Sequence, residues 1–155
     1  MDSAVFLTLD EAIDVHMDLV SRYGGHPGIR DTDLLLSALA MPQASFGGEF
    51  LHRDIFEAAA AYAFHICNNR PFVDGNKRTG FMTAMAFLEF NGHEFAATEV
   101  EAVLQTLALA AGALDEKGYA AWLRQNSRRP GRVWNRADAR PEDWGKEGVG
   151  WMPLL

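Results

Sequence analysis

The sequence predicts an all-α fold, a compact bundle of about six helices with a short loop or hairpin flap after the second. Three observations carry this. Apolar residues recur at helical spacing in five or six segments, most of those segments begin at a residue able to cap a helix, and none shows the alternation of a half-buried strand. At 155 residues the chain fits one domain with a single core, and its 48% apolar and 23% charged residues exclude a mainly disordered or fibrous protein.

Thr8 followed by Glu11 forms a capping box, and Leu9, Ala12, Ile13, Met17 and Val20 keep helical spacing until Gly24-Gly25, so the first helix covers Leu9 to Tyr23. Asp31 caps a short helix carrying Leu34, Leu35, Leu36 and Leu39, which Pro42 stops. Pro42 to Leu51, with Gly47-Gly48, reads as a loop or short hairpin, whose Phe46 and Phe50 either dock a partner or fold back on the core. The third helix runs from Asp54 to Asn68 and the fourth from Asn76 to Asn91, closed by Gly92; Ile55 to Cys67 and Phe81 to Phe90 are apolar almost all round. Thr98 and Glu101 open a fifth helix through Val103, Leu104, Leu107 and Leu109 to Gly112, and Asp115 caps a last one carrying Tyr119, Trp122 and Leu123. Residues 1–126 form the folded body. Residues 127–155, rich in Arg, Pro and Gly with isolated Trp134, Trp144 and Trp151, read as a tail with little regular structure, whose tryptophans lie on the body or anchor a partner or a second copy. No internal repeat is visible.

The net charge of −7 is uneven: residues 1–126 hold 17 acidic against 8 basic residues, the remainder 4 against 6. An acidic body argues against nucleic acid as partner and for a basic protein segment. Met1 to Leu7 has no signal-peptide character and no stretch reaches the ~20 apolar residues of a membrane span, so a cytoplasmic protein without membrane contact is expected. The single Cys67 has no thiol partner and reads as a packed core residue.

Between the third and fourth helices lies Arg70 to Arg78, R-P-F-V-D-G-N-K-R. A fourth helix beginning at Asn76 puts Asp74, Gly75, Asn76, Lys77 and Arg78 around a helix N-terminus, whose unpaired N–H groups and dipole attract anions. Gly75 lets the backbone approach a ligand, Asn76 offers a side-chain donor, Lys77 and Arg78 bring positive charge, and Asp74 is a hard oxygen ligand suited to magnesium. The same residues also read as an ordinary Asp-Gly turn with a solvated helix start. Neither G-x-x-x-x-G-K-[ST] nor G-x-G-x-x-G is present.

Pro71 to Arg78 fit, position by position, the motif H-x-F-x-[DE]-[GA]-N-[GKR]-R of the Fic/Doc family, and the chain resembles its Doc-like branch, the death-on-curing toxins of bacterial toxin–antitoxin modules. Leu7 to Ala12, Arg22 to Leu35 and Ala40 to Gly48 extend the resemblance, which covers about Phe6 to Arg124. It implies a Fic-type bundle that inhibits translation by transferring the γ-phosphate of ATP to a hydroxyl of a target protein of the elongation factor Tu type. The family's alternative chemistry is AMP transfer. AMP-transferring members continue G-N-G-R-x-x-R, whereas this chain has Lys77 for the middle Gly and Phe81 for the second Arg, which favours kinase chemistry. The resemblance further implies Asp74 as the magnesium ligand, Asn76 and the backbone around Gly75 as an anion hole, Lys77 and Arg78 on the phosphates, and Phe72 packed into the core.

The family's motif begins with a His that takes the proton from the target hydroxyl; this chain has Arg70 there. Arginine stays protonated and cannot be that base. His65 lies inside the third helix, and nothing in the spacing of His26, His52 or His93 brings them to the turn. Arg70 is then an inactivating substitution, engineered or selected, or the mark of a non-catalytic nucleotide or antitoxin binder, or a sign that another base acts. The family's inhibitory [ST]-x-x-x-E-[GN] helix has only the imperfect echo Ser45 to Phe50, so an antitoxin acting in trans, beside the Pro42 to Leu51 loop, is the expected partner.

Overall fold

Local capping sets the helix starts. Thr8 accepts from the Glu11 N–H while Glu11 bonds back, opening α1 (Leu9–Tyr23). Asp31 accepts from Leu34 N–H at the start of α2 (Thr32–Ala40), and Asp54 from Glu57 N–H at the start of α3 (Ile55–Asn69). Thr98 and Glu101 form a second reciprocal box on α5 (Glu99–Ala111), and Asp115 caps α6 (Glu116–Gln125). Among the α-helices of the described residues only α4 (Asn76–Phe90) begins without a side-chain cap: Gly75 stands at its N-cap with φ 76°. The computed structural model describes residue 1, residues 3–129 and residue 155, so Trp134, Trp144 and Trp151 of the expected tail lie outside the described residues.

The six α-helices of the described residues make the all-α bundle expected, with α3 at its centre, packed on α2, α4, α5 and α6, while α1 packs on α4. Close approach of α3 and α4 depends on small residues. Ala58 to Ala61 and Ala63 are fully buried, and a Cβ at Gly80 would lie 3.0 Å from the Ala63 carbonyl and 3.1 Å from Cys67 Sγ. Around this seam Tyr62, Ile66, Phe72, Phe87 and Leu88 are buried almost completely.

The flap is a hairpin, β1 (Ser45–Phe46) against β2 (Glu49–Phe50), turned through Gly47 and Gly48, both at positive φ as the tightest hairpin turns require. Its two phenylalanines part company: Phe46 is 83% exposed, whereas Phe50 packs 6.0 Å from Phe6. A second antiparallel pair joins β3 (Glu94–Phe95) to β4 (Ser127–Arg128), so regular pairing continues past residue 126. Ser127 Oγ donates to the Leu123 carbonyl at 2.6 Å and Arg128 lies 3.4 Å from Glu94. Two-residue strands are too short to show an alternation in sequence.

Candidate functional site

The turn between α3 and α4 is held by two other parts of the chain and by its own Asn76. The Gly24–Asp31 loop runs antiparallel to it, through Val73 N–H to the Gly28 carbonyl at 3.1 Å, an isolated bridge of Ile29 with Phe72, and the Arg30 and Asp31 N–H groups on the Pro71 carbonyl. Within the turn, Asn76 accepts from Phe72 N–H at 2.9 Å and donates back to the Phe72 carbonyl at 3.0 Å. From below, α1 brings His16, 1% exposed, whose ring stacks on Phe72 at 3.9 Å and whose Nε2 donates to the Asp74 carbonyl at 2.8 Å.

Motif spacing does not reveal His16; its signal in the sequence is a polar residue between Ala12, Val15 and Leu19 on the buried face of an amphipathic helix. Burial, with help from the nearby Arg78 charge, holds its pKa below the ordinary histidine value and the ring neutral. The Gly24–Asp31 loop falls within the Doc-like stretch Arg22 to Leu35, but spacing does not show that it packs on the turn, and the expectation that nothing brings His26 there is corrected: its main-chain N–H reaches Asp74 Oδ2 at 3.3 Å. His65 lies elsewhere, with Nε2 3.3 Å from Glu116 on α6. His93 stands edge-on to Phe56. His52 lines a different cavity, beside Leu51 and Glu57.

A cleft of about 210 Å³ opens above the turn, lined by Arg70, Val73, Asp74, Gly75, Asn76, Lys77 and Arg78 with Cys67, Ala110 and Leu155. The motif residues in it divide by role. Arg70 and Lys77 are exposed, whereas Arg78 is only 8% exposed. One Arg78 nitrogen donates to the Gly24 carbonyl at 3.3 Å, and its buried Nε has no partner. Asn76 has already committed its carbonyl and one amide N–H to Phe72, so the donors left for an anion are chiefly main-chain. The N–H groups of residues 76–78 precede the intrahelical ladder, which starts with Thr79 N–H to the Gly75 carbonyl. Burial drives the Cys67 thiol up to about 12, so it borders the cleft as a protonated, inert group.

Asp74 is exposed yet fixed: Oδ2 takes the His26 N–H, Oδ1 takes the Gly75 N–H at 2.8 Å, and these bonds, with the Arg78 charge, lower its pKa and keep it ionised. Among the described residues no three His, Cys, Asp or Glu side chains gather to hold a metal. A single ionised carboxylate beside an anion seat suits magnesium, which is commonly held through one or two carboxylates, ligand phosphates and water. Among the described residues no helix is long and apolar enough to cross a membrane.

Residues 6–88, a span that includes the whole turn, match the Fic/DOC family. The chain is similar to the Toxin Doc of Mycolicibacterium smegmatis, 40% identical over 75 residues that make up 48% of this chain and 58% of that protein. It is also similar to the Protein kinase doc of Escherichia phage P1, 36% identical over 83 residues, 54% of this chain and 65% of that protein. The chain thus spans less than two thirds of either relative's length.

Proposed function

The chain belongs to the Fic/DOC family, and on that premise we propose that it is a Doc-like toxin scaffold that binds magnesium and ATP at the Asp74–Arg78 turn. The reaction for which the scaffold is built is transfer of the γ-phosphate of ATP to a hydroxyl of a protein of the translation machinery, of the elongation factor Tu type, with ADP leaving and the hydroxyl proton passing to a base, and an antitoxin restrains it in trans. The observation that carries this reading is Arg78: a buried guanidinium with an unpartnered Nε, beside an uncapped helix N-terminus and an ionised Asp74. An unpaired buried donor is costly unless a ligand completes it.

Each residue then has a task. The N–H groups of residues 76–78 and Arg78 bind phosphate oxygens, Lys77 adds charge from the rim, and Asp74 would hold a magnesium ion, which would supply positive charge to neutralise the phosphates. Asn76 and His16 keep the turn in shape. Proton removal from the target hydroxyl lacks its agent, because Arg70 stands where the family has its His, so phosphate transfer by this chain is impaired.

A second reading, a binder of nucleotide or antitoxin that transfers nothing, is favoured by the same Arg70, a permanent cation that adds to the anion seat and removes the base. Arg70→His with ATP labelled on the γ-phosphate or on the adenine, incubated with a bacterial lysate, separates the readings. Label from the γ-phosphate on a protein supports the kinase scaffold; adenine label supports AMP transfer; no label of either kind leaves the binder.

A further inference from the structure

Among the described residues Arg70 is the one non-glycine at positive φ, with φ 51° and ψ 55° at the C-cap of α3. A side chain with a Cβ takes this left-handed conformation at a cost, and it persists where the surroundings enforce it. What enforces it here is Arg30. Its Nε donates to the Arg70 carbonyl at 2.7 Å and its Nη2 to the Asn69 carbonyl at 2.9 Å. Those two carbonyls belong to the peptide planes on either side of the residue-70 Cα, so one rigid fork grips both planes that define φ and ψ at position 70.

The rest of the local bonding supports that grip. The Arg30 and Asp31 N–H groups donate to the Pro71 carbonyl at 2.7 and 3.0 Å, and Asn69 Nδ2 donates to the Leu34 carbonyl at 3.0 Å. The guanidinium also lies at a helix C-terminus, where a cation completes otherwise unpaired carbonyls.

We infer that Arg30 is a positioning residue: it fixes the backbone of position 70, and through it the direction in which the side chain at 70 enters the cleft. This rests on reading position 70 as the reacting position of the proposed site. Fixing a Cα–Cβ vector acts on turnover more than on nucleotide binding, which the other end of the turn performs.

The test uses the full chain. In the Arg70→His background, Arg30→Ala lowers γ-phosphate transfer about tenfold to a hundredfold while nucleotide affinity stays within about twofold. Arg30→Lys, which keeps the charge but cannot grip both planes, falls nearly as far. Unchanged turnover in Arg30→Ala, full activity in Arg30→Lys, or affinity lost in step with turnover would overturn the inference. If Arg70→His transfers nothing, the proposed activity fails but the positioning role is still decided by amide hydrogen exchange in the original chain. Arg30→Ala then speeds exchange at residues 70 and 73 and leaves the α4 core unchanged; equal rates at 70 and 73 would refute it.

Discussion

His16 is almost fully buried, and its titration is expected to govern how the turn responds to mild acid. Its Nε2–H bond to Asp74 and its stack on Phe72 hold two of the turn's residues at once. Burial and the Arg78 charge lower its pKa from the ordinary 6.5. A histidine with a depressed folded pKa binds fewer protons folded than unfolded, so its contribution to stability is complete above 6.5 and is lost as pH falls below that value. His93, also lowered by burial, acts with the same sign. The melting temperature is therefore expected to fall from about pH 7.5 to about pH 5.5, and to fall less in His16→Gln, with the remaining slope due to His93. Melts of the two proteins across that range check this, and identical slopes would remove His16 from the account. Asp74 titrates in a different window, because its depressed pKa costs stability only as pH drops below 3.8.

At the scale of elements, the site is the junction of the C-terminus of α3 with the N-terminus of α4, and Gly80 sets how closely those helices pack. Gly80→Ala gains helix propensity of up to about 1 kcal/mol but drives a methyl against main-chain oxygen and the Cys67 sulfur, an overpacking cost of about 1–3 kcal/mol. We expect net destabilisation, read as a lower denaturation midpoint, because neither backbone nor a buried thiol moves cheaply. The helix starts at Thr8, Asp31, Thr98 and Asp115 were legible in sequence because a cap is a contact over three residues, and the Gly47-Gly48 hairpin because its turn chemistry is local. Arg30 gripping Asn69 and Arg70, and His16 under Asp74, were not. Those contacts join residues 39, 40 and 58 positions apart, which no periodicity records. Motif spacing located the turn, but it could not tell that Asn76 fastens Phe72 or that Arg78 is buried while Lys77 is exposed.

At the scale of the molecule, an acidic body carries a cleft whose own lining is cationic, so binding there depends on local geometry and not on net charge. α1, the Gly24–Asp31 loop, the end of α3 and the start of α4 must all be folded for the cleft to exist, because His16 donates to the Asp74 main-chain carbonyl, Val73 N–H to the Gly28 carbonyl and Arg78 to the Gly24 carbonyl. A ligand of this cleft therefore binds only the folded state and must stabilise the whole chain. At a concentration of magnesium and ATP one hundred times the Kd, the gain is about 2.7 kcal/mol, or about 5–10 °C in Tm for a domain of this size. Arg78→Ala loses a charge-assisted bond worth about 1.5–3 kcal/mol and is expected to abolish most of the shift with or without magnesium. Asp74→Ala should abolish only the part that requires magnesium. Differential scanning calorimetry of the three proteins with ATP, with and without the metal, measures both effects. A shift that survives both substitutions would mean that nucleotide binds somewhere other than this turn.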